Sequence, residues 1–172
     1  ITGGGTGLGF GISKAFLAAG ATIIISGRRE AVLQEAIEQL GKGASYLVND
    51  ISDTASFPAF VETIESKFGA IDILVNNAGI NMKKFLTEVS DEEFHQIIQT
   101  NVNGLFSLTR EVAKKMIPRS SGSVINITSM TALYGISDVT AYTSSKTAVL
   151  GMTRSLAVDL SPKGIRVNAI AP

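Results

Sequence analysis

Residues 2–9 have the sequence Thr-Gly-Gly-Gly-Thr-Gly-Leu-Gly, and a helical pattern follows over residues 10–19. Glycines allow positive φ angles and let a backbone approach a ligand closely, while a helix N-terminus presents free N–H groups and a positive dipole to a phosphate. The spacing is TGxxxGxG and differs from the familiar GxGxxG fingerprint. In isolation, a flexible glycine-rich turn would explain it. Between a strand end and a helix, with another strand following, it predicts a dinucleotide-binding turn.

Outward from this turn, short apolar strands alternate with amphipathic helices. Strands are predicted at residues 21–26, 44–48, 71–75, 123–128 and 165–170, and further helices at residues 30–40, 54–68, 90–118 and 141–160. Such alternation with short links requires right-handed crossovers and a parallel sheet covered on both faces. We therefore expect an α/β fold in one domain over residues 1–172, a Rossmann-type doubly wound sheet in three αβα layers. Ser90 and Glu93 have the spacing of a capping box at the start of the longest helix.

Composition excludes several classes of protein. The 172 residues are 45% hydrophobic and carry 15 basic and 15 acidic side chains, so an ordered core is expected and the basic surface of a nucleic-acid-binding protein is not. The chain has no cysteine and a single histidine, His95, which excludes thiolate chemistry and leaves no expected metal site. His95 lies in a polar stretch and is expected to be solvated. No apolar run matches a membrane span, and we expect a cytoplasmic protein that acts away from membranes.

The ends of the second and third strands bear on the kind of dinucleotide. NAD sites commonly place an acid after the second strand to hold the ribose hydroxyls, whereas here Arg28 and Arg29 stand there with no acid before Glu30. Arginine can pair with a 2′-phosphate, which favours NADP(H) and leaves NAD(H) possible. Alternatively, the two arginines are an ordinary solvated helix start. Asp50 and Ile51 are candidates to meet the adenine, although Asp50 has the alternative role of a helix cap.

Tyr142 and Lys146 are the candidate acid–base pair. Their i, i+4 spacing places them on one helix face, and an ammonium beside a phenol favours the ionised phenol. A tyrosine in that setting protonates a carbonyl oxygen during reduction or deprotonates an alcohol during oxidation. The pair alone is weak evidence. Ser129, just past a predicted strand, could hydrogen-bond the same substrate oxygen and Tyr142, and otherwise would be a surface loop serine.

Two asparagine features complete the candidate site. Asn101 lies inside the predicted long helix, where its low helix propensity suggests a specific hydrogen-bonding role or a local kink. Residues 76–79, Asn-Asn-Ala-Gly, follow the strand at 71–75, and their simpler interpretation is a polar turn with glycine supplying positive φ.

Together these segments resemble the short-chain dehydrogenase/reductase family. The matches cover essentially the whole chain in family order: TGGGTGLG at 2–9, NNAG at 76–79, TNVNG around Asn101, NITSM around Ser129, YTSSK at 142–146 and RVNAIAP at 166–172. The resemblance implies an NAD(P)-dependent oxidoreductase acting on an alcohol or ketone.

By this resemblance, Tyr142 is the acid/base, Lys146 holds the nicotinamide ribose and favours the phenolate, Ser129 positions the substrate and Asn101 anchors a water in a proton relay. Gly3, Gly7 and Gly9 match the pyrophosphate turn, Asp50 the adenine contact and Asn77 a cofactor-side contact. The expected cofactor site comprises Gly3, Thr6, Gly7, Leu8, Gly9, Arg28, Asp50, Ile51, Asn77, Tyr142 and Lys146. The resemblance also implies that residues 1–172 are incomplete at both ends, missing most of a first strand and a substrate loop.

The substrate is a small molecule that the motifs define only weakly. Residues 76–84 and 125–130 look similar to sugar-acid members such as gluconate 5-dehydrogenases and deoxygluconate dehydrogenases. Lys83 or Lys84 could meet a substrate carboxylate, although solvated loop charges are the simpler interpretation. Met130 and Tyr134 are candidates to line the substrate pocket beside Ser129 and Tyr142. The alternatives are a 3-oxoacyl-carrier-protein reductase or, without catalysis, a dinucleotide-binding sensor module.

A subunit interface is predicted from the two long helices. The helix over residues 90–118 has more apolar side chains than one core-facing stripe needs, namely Leu105, Phe106, Leu108, Val112 and Met116. Together with the helix over 141–160, which forms such interfaces in the family, it suggests a homotetramer or homodimer.

Overall fold

The computed structural model describes all 172 residues as alternating helices and strands. The helices are α1 (Gly7–Ala18), α2 (Glu30–Leu40), α3 (Phe57–Phe68), α4 (Asp91–Ile98), α5 (Leu105–Met116) and α6 (Thr140–Leu160). The strands are β1 (Ile23–Gly27), β2 (Ala44–Val48), β3 (Ile73–Asn76), β4 (Gly122–Ile127) and β5 (Ile165–Ile170). A π-helical segment, Gln99–Gly104, joins α4 to α5.

All strand pairs are parallel. β1 pairs with β2, with Ile23 opposite Ala44, while β3, β4 and β5 form a second group in that order. Thr2 lies between the groups, because it forms a parallel bridge with Ser26 and donates its backbone N–H to the Val75 carbonyl at 3.0 Å. The glycine-rich turn therefore leaves the middle of the strand array, at the carboxyl ends of its neighbours, where open α/β sheets bind ligands.

The hydrophobic core is unequally divided between the two strand groups. Eleven buried residues pack where α3, α5 and α6 meet β3, β4 and β5, with Phe57, Met116, Val124 and Ile165 among them. Beside β1 and β2, the buried cluster has four members, Ile23, Ile25, Leu33 and Ala36. The catalytic candidates on α6 and after β4 thus rest on the larger core.

The Rossmann-like α/β prediction is confirmed, and α2, β2 and β5 have the predicted bounds. The Ser90 capping box is also present: the Glu93 N–H donates to Ser90 Oγ at 3.2 Å, and the Ser90 N–H donates to Glu93 Oε2 at 2.9 Å. The predicted single helix over 90–118 is interrupted, because the π-helical segment lies at its middle. Asn101, flagged as a kink, lies inside that segment.

The apolar side chains offered as interface surplus are mostly core residues. Four of them, Leu105, Leu108, Val112 and Met116, are buried within the chain, and Phe106 is 42% exposed. The prediction counted one inward stripe, whereas the helix packs against β-strands and against α3 and so buries a wider face. No helix in the structure combines the length and apolarity needed to span a membrane.

Candidate active site

The glycine-rich turn is shaped by two requirements, conformation and proximity. Gly3 and Gly7 have φ of 64° and 53°, values that L-residues with side chains rarely adopt. Gly9 needs glycine for space, because a Cβ there would collide with the Gly3 carbonyl oxygen. In front of Gly7 there is open space, so exposed backbone faces outward at the start of α1. This is the arrangement that receives an anionic group such as a pyrophosphate.

A groove of about 360 Å³ extends from this turn across the carboxyl ends of β1, β2 and β3. That volume lies within the usual range for small-molecule and cofactor sites. Nine residues of the predicted cofactor set line it, Gly3, Thr6, Gly7, Leu8, Gly9, Arg28, Asp50, Ile51 and Asn77, while Tyr142 and Lys146 lie outside this lining. A long, mixed polar and apolar groove with a glycine cradle at its centre fits a nicotinamide dinucleotide.

Asp50 and Arg28 lie near one another in this groove. Burial would raise the pKa of the Asp50 carboxyl, but hydrogen bonds from the Ser52 N–H (2.9 Å) and hydroxyl (2.7 Å), with the charge of Arg28, hold it below its ordinary value. Asp50 is therefore engaged in its own loop and does not cap α3, whose N-cap residue is Ser56. Arg28 and Arg29 are both exposed at the end of β1.

Asn77 holds the glycine-rich turn against β3. Its Nδ2 donates to the carbonyls of Thr2 and Gly3 at 3.0 and 3.2 Å, and its backbone N–H donates to Thr2 Oγ1 at 3.0 Å. The side chain borders the groove, but its amide hydrogens already serve the turn. Its geometry is that of a brace for the pyrophosphate cradle.

Tyr142 and Lys146 lie on one face of α6, as predicted. The Lys146 Nζ donates to the Ile127 carbonyl at the end of β4 at 2.8 Å and lies 5.5 Å from the centroid of the Tyr142 ring. Only 5% of Lys146 is exposed, and burial lowers the pKa of its ammonium group to about 8. The β4 strand end therefore fixes a buried cation beside the phenol.

Asn101 connects this pair to the groove. It is 2% exposed; its Nδ2 donates to the Ile80 carbonyl (2.8 Å) and Ser145 Oγ (3.0 Å), and its Oδ1 accepts from the Ile80 N–H (2.8 Å). Gly79, which lines the groove, is so close that a Cβ there would stand 3.1 Å from Asn101 Oδ1 and 3.6 Å from Lys146 Nζ. Asn101 and Lys146 thus meet behind the part of the groove wall that Gly79 and Ile80 form.

Ser129 lies two residues past β4 and is half-buried. Its Oγ accepts from the Thr131 N–H at 3.3 Å and makes no direct hydrogen bond with Tyr142. A link between these two hydroxyl groups would therefore run through a bound substrate oxygen. Sequence reasoning did not single out Ser145, whose Oγ donates to the Tyr142 carbonyl at 2.7 Å. Its position three residues after Tyr142 was the available signal.

Six exposed apolar side chains lie on the loops that follow β3 and β4; we call them the apolar rim. A backbone hydrogen bond from the Lys84 N–H to the Asp138 carbonyl, 2.7 Å long, ties together the two loops that carry them. Lys84 itself forms a 2.8 Å salt bridge with Glu93, whereas Lys83 is exposed. His95 is exposed on α4, as expected. The rim consists of Phe85, Leu86, Met130, Leu133, Tyr134 and Ile136.

A glycine-cradled groove with a Tyr–Lys pair behind its wall is the arrangement expected of a Rossmann-type oxidoreductase, and comparison with known proteins gives the family. The sequence profile of the short chain dehydrogenase family matches residues 1–172. The whole chain is 38% identical to a 3α-hydroxysteroid dehydrogenase of Mediterraneibacter gnavus and 36% identical to a 3-oxoacyl-[acyl-carrier-protein] reductase of Thermotoga maritima, spanning 71% of each.

Solved structures agree with this assignment. A short-chain dehydrogenase from Streptomyces avermitilis superposes with a TM-score of 0.94 at 30% identity, and the chain spans 63% of that protein's length. The chain belongs to the short-chain dehydrogenase/reductase family, and it is an oxidoreductase of the kind that acts on hydroxyl or keto groups with a nicotinamide dinucleotide. These relatives do not single out the sugar-acid branch suggested by the sequence.

Proposed function

We propose that the protein transfers hydride between NADP(H) and an alcohol or ketone, with Tyr142 as the acid/base. The observation that supports this most directly is the burial of the Lys146 ammonium 5.5 Å from the Tyr142 ring, behind the groove wall at Gly79. A cation fixed there attracts the negative charge that the tyrosine oxygen carries whenever its proton has moved to the substrate. A sensor module could use Lys146 to hold the nicotinamide ribose, but it would have no need to keep Ser129 and Tyr142 as well.

The roles follow from what each side chain can reach. A bound nicotinamide would supply or accept the hydride at the substrate carbon. During reduction Tyr142 donates its proton to the carbonyl oxygen, and during oxidation it takes the proton of the alcohol. Ser129 orients that oxygen, Lys146 holds the nicotinamide ribose, and Asn101 fixes the Gly79–Ile80 wall and anchors a water of the proton relay.

Substitution of Tyr142 by phenylalanine tests the acid/base assignment. Turnover should fall by about 10²–10⁴-fold, the usual contribution of a positioned acid or base, while the Kd for NADPH changes little. Tyr46→Phe is the matched control, because Tyr46 lies on β2 outside the groove and should keep full activity. A Tyr142→Phe enzyme with wild-type turnover would contradict the assignment.

The preference for NADP(H) is proposed from Arg28 and Arg29. Both are exposed at the groove edge after β1, and neither is paired with a carboxylate in a salt bridge. Arg28→Ala should lower kcat/KM for NADPH by about tenfold, typical of a lost charge-assisted hydrogen bond, and leave kcat/KM for NADH nearly unchanged. A wild-type preference for NADH would overturn this proposal.

For the substrate, an apolar body beside the reacting oxygen is better supported than a sugar acid. Lys84 is neutralised by Glu93, which leaves exposed Lys83 as the loop's free cation, and the apolar rim presents hydrophobic surface near Ser129. The relatives named above act on a hydroxysteroid and on a 3-oxoacyl group. A 3-oxoacyl-carrier-protein reductase, the alternative that the sequence offered, is therefore retained as the second candidate function. The hypothesis of a sugar-acid substrate ranks below it.

A substrate comparison decides among these classes. With NADPH and the full-length protein, we expect higher kcat/KM for 3-oxoacyl thioesters and ketosteroids than for keto sugar acids. Leu133→Ser and Tyr134→Ser should raise KM for the apolar substrates because they remove rim surface from the contact. Faster turnover of sugar acids, unaffected by either substitution, would reject the apolar class.

We also propose a homotetramer or homodimer that works in the cytoplasm. Fewer exposed apolar side chains support assembly than the sequence suggested, because four of the five predicted on α5 are buried within the chain. Phe106 on α5 and Val158 on α6 are 42% and 73% exposed, and exposed apolar side chains of this size favour a contact between subunits.

A further inference from the structure

The π-helical segment Gln99–Gly104 touches loops at both ends of the groove. Gln99 Nε2 donates to the Ser52 carbonyl at 2.9 Å, and Gly104 packs against the Ile51 carbonyl. Asn101, between them, holds Ile80 on the nicotinamide side through its own amide. One short segment therefore contacts the adenine-side loop after β2 and the wall after β3.

The π geometry explains how one segment can face two ways. In an α-helix with 3.6 residues per turn, residues five apart point about 140° away from each other. The i→i+5 pattern of a π turn brings them onto one face. Gln99 and Gly104 are five apart and both meet the 51–52 loop, while Asn101 faces the opposite side toward Ile80 and Ser145.

The backbone conformation does not explain why glycine occupies position 104. Its φ and ψ are −60° and −50°, which any residue adopts, and glycine in a helix costs about 1 kcal/mol relative to alanine. The reason is proximity, because a Cβ would collide with the Ile51 carbonyl oxygen and stand 3.0 Å from Ile51 Cγ1. Alanine would thus push back the backbone that carries Asp50 and Ile51 in the groove wall.

Gln99 is held so that its amide faces this loop. Asn103 Nδ2 donates to Gln99 Oε1 at 2.8 Å, which leaves Nε2 directed at the Ser52 carbonyl. Ser52 in turn donates from its N–H and hydroxyl to Asp50. The chain of contacts runs from the π-helical segment through Ser52 to the carboxylate expected to meet the adenine.

We infer that Gln99 and Gly104 are positioning residues. They hold the loop after β2, which forms the adenine-side wall of the cofactor site, in a fixed position relative to the wall on the nicotinamide side. The inference rests on the proposed function in that it takes the groove as the dinucleotide site. These two residues should affect binding of the adenosine half of the dinucleotide and should not affect proton transfer by Tyr142 and Lys146.

Gly104→Ala and Gln99→Met test the assignment in the full-length protein. Calorimetric Kd values for 2′-phospho-ADP-ribose and ADP-ribose should rise by about tenfold in each variant, as for one lost or displaced hydrogen bond. KM for NADPH should rise in parallel, while kcat at saturating cofactor changes little. The melting temperature should fall in Gly104→Ala, because its Cβ displaces the Ile51 backbone, and should change little in Gln99→Met. Gly11→Ala is the matched control, since Gly11 lies in α1 with open space at its Cβ position.

The experiment distinguishes failure of the positioning role from failure of the proposed cofactor site. Unchanged Kd values in both variants, or equal losses in kcat and in ADP-ribose affinity with a lower melting temperature, would overturn the positioning role. If Gly104→Ala does not fold, Gln99→Met decides alone, because methionine roughly preserves the side-chain volume and removes the donor to Ser52 together with the acceptor for Asn103. Wild-type protein that binds neither ADP-ribose compound would instead refute the proposed cofactor site itself.

Discussion

The environment of Lys146 has a direct energetic consequence for folding. Its ammonium group is buried beside Tyr142 with one carbonyl partner, and burial lowers its pKa from 10.5 to about 8. Below about pH 8 the folded protein bears the cost of a buried charge. As pH rises toward 10.5 the folded state binds fewer protons than the unfolded state, so this cost disappears and stability increases.

The prediction compares wild type with Lys146→Met, in which that site cannot titrate. The free energy of unfolding of wild type relative to the variant should increase between pH 7 and pH 10, by at most about 3 kcal/mol from the pKa difference. Urea unfolding at both pH values measures it, and groups far from the site cancel in the comparison. The same pair of proteins carrying Tyr142→Phe controls for the hydroxyl group beside Lys146. A difference between the two proteins that does not change with pH would contradict the burial of a titrating ammonium.

Residue identities alone were enough to select most of the candidate site. Tyr142, Lys146 and Ser129 were chosen for their chemistry and spacing, and Asn101 because asparagine is unusual inside a helix. Lys84 shows the limit of this approach, since its salt bridge with Glu93 depends on a loop path that no local pattern specifies. Gly104 shows it again, because its partner Ile51 lies far away in sequence.

At the scale of elements, α1 and its preceding turn depend on a close approach that a single methyl group would prevent. Gly9→Ala places a Cβ against the Gly3 carbonyl and 2.5 Å from Asn77 Nδ2. We expect the turn to be displaced, with a loss of NADPH affinity of tenfold or more, about 1.4 kcal/mol, and a lower melting temperature.

Gly11→Ala, two residues further along the same helix, is the matched comparison. Its Cβ would meet nothing within 4 Å, so alanine should stabilise the helix by about 0.5–1 kcal/mol without changing cofactor affinity. Titration with NADPH and thermal unfolding of both variants give the two quantities. Equal effects of the two substitutions would show that helix propensity, and not the approach of Gly9 to Gly3, controls the turn.

The sequence predicted the ends of helices and strands correctly where neighbouring residues determine them. The helix α2 was placed correctly because its apolar spacing is regular, and the start of α4 because Ser90 and Glu93 form a capping box. The π-helical segment was visible only as an anomaly at Asn101. An extra residue in a helical turn is stabilised by contacts with Ser52, Ile51 and Ile80, all of them distant in sequence.

At the scale of the whole molecule, the groove spans two halves of unequal core. The α1–β1–α2–β2 half has four buried hydrophobic residues in its cluster, and the half built on β3, β4 and β5 has eleven. Local opening is easier where fewer apolar groups are buried. The turn, Arg28 and Asp50 belong to the weaker half, while Lys146, Asn101 and Ser129 rest on the stronger one.

Hydrogen exchange followed by mass spectrometry tests this division. Without cofactor, amides of β1 and β2 should exchange at a lower opening free energy than those of β4 and β5. In the proposed site NADPH would contact both halves. It should then raise protection mainly in the first, by about 2.7 kcal/mol at a hundredfold excess over Kd if opening of that half abolishes binding. In Gly104→Ala the extra protection in β1 and β2 should shrink at a fixed NADPH concentration, because the adenine-side wall is displaced. Uniform exchange in both halves, with or without NADPH, would show instead that the sheet opens as one unit and that the unequal cores do not control its dynamics.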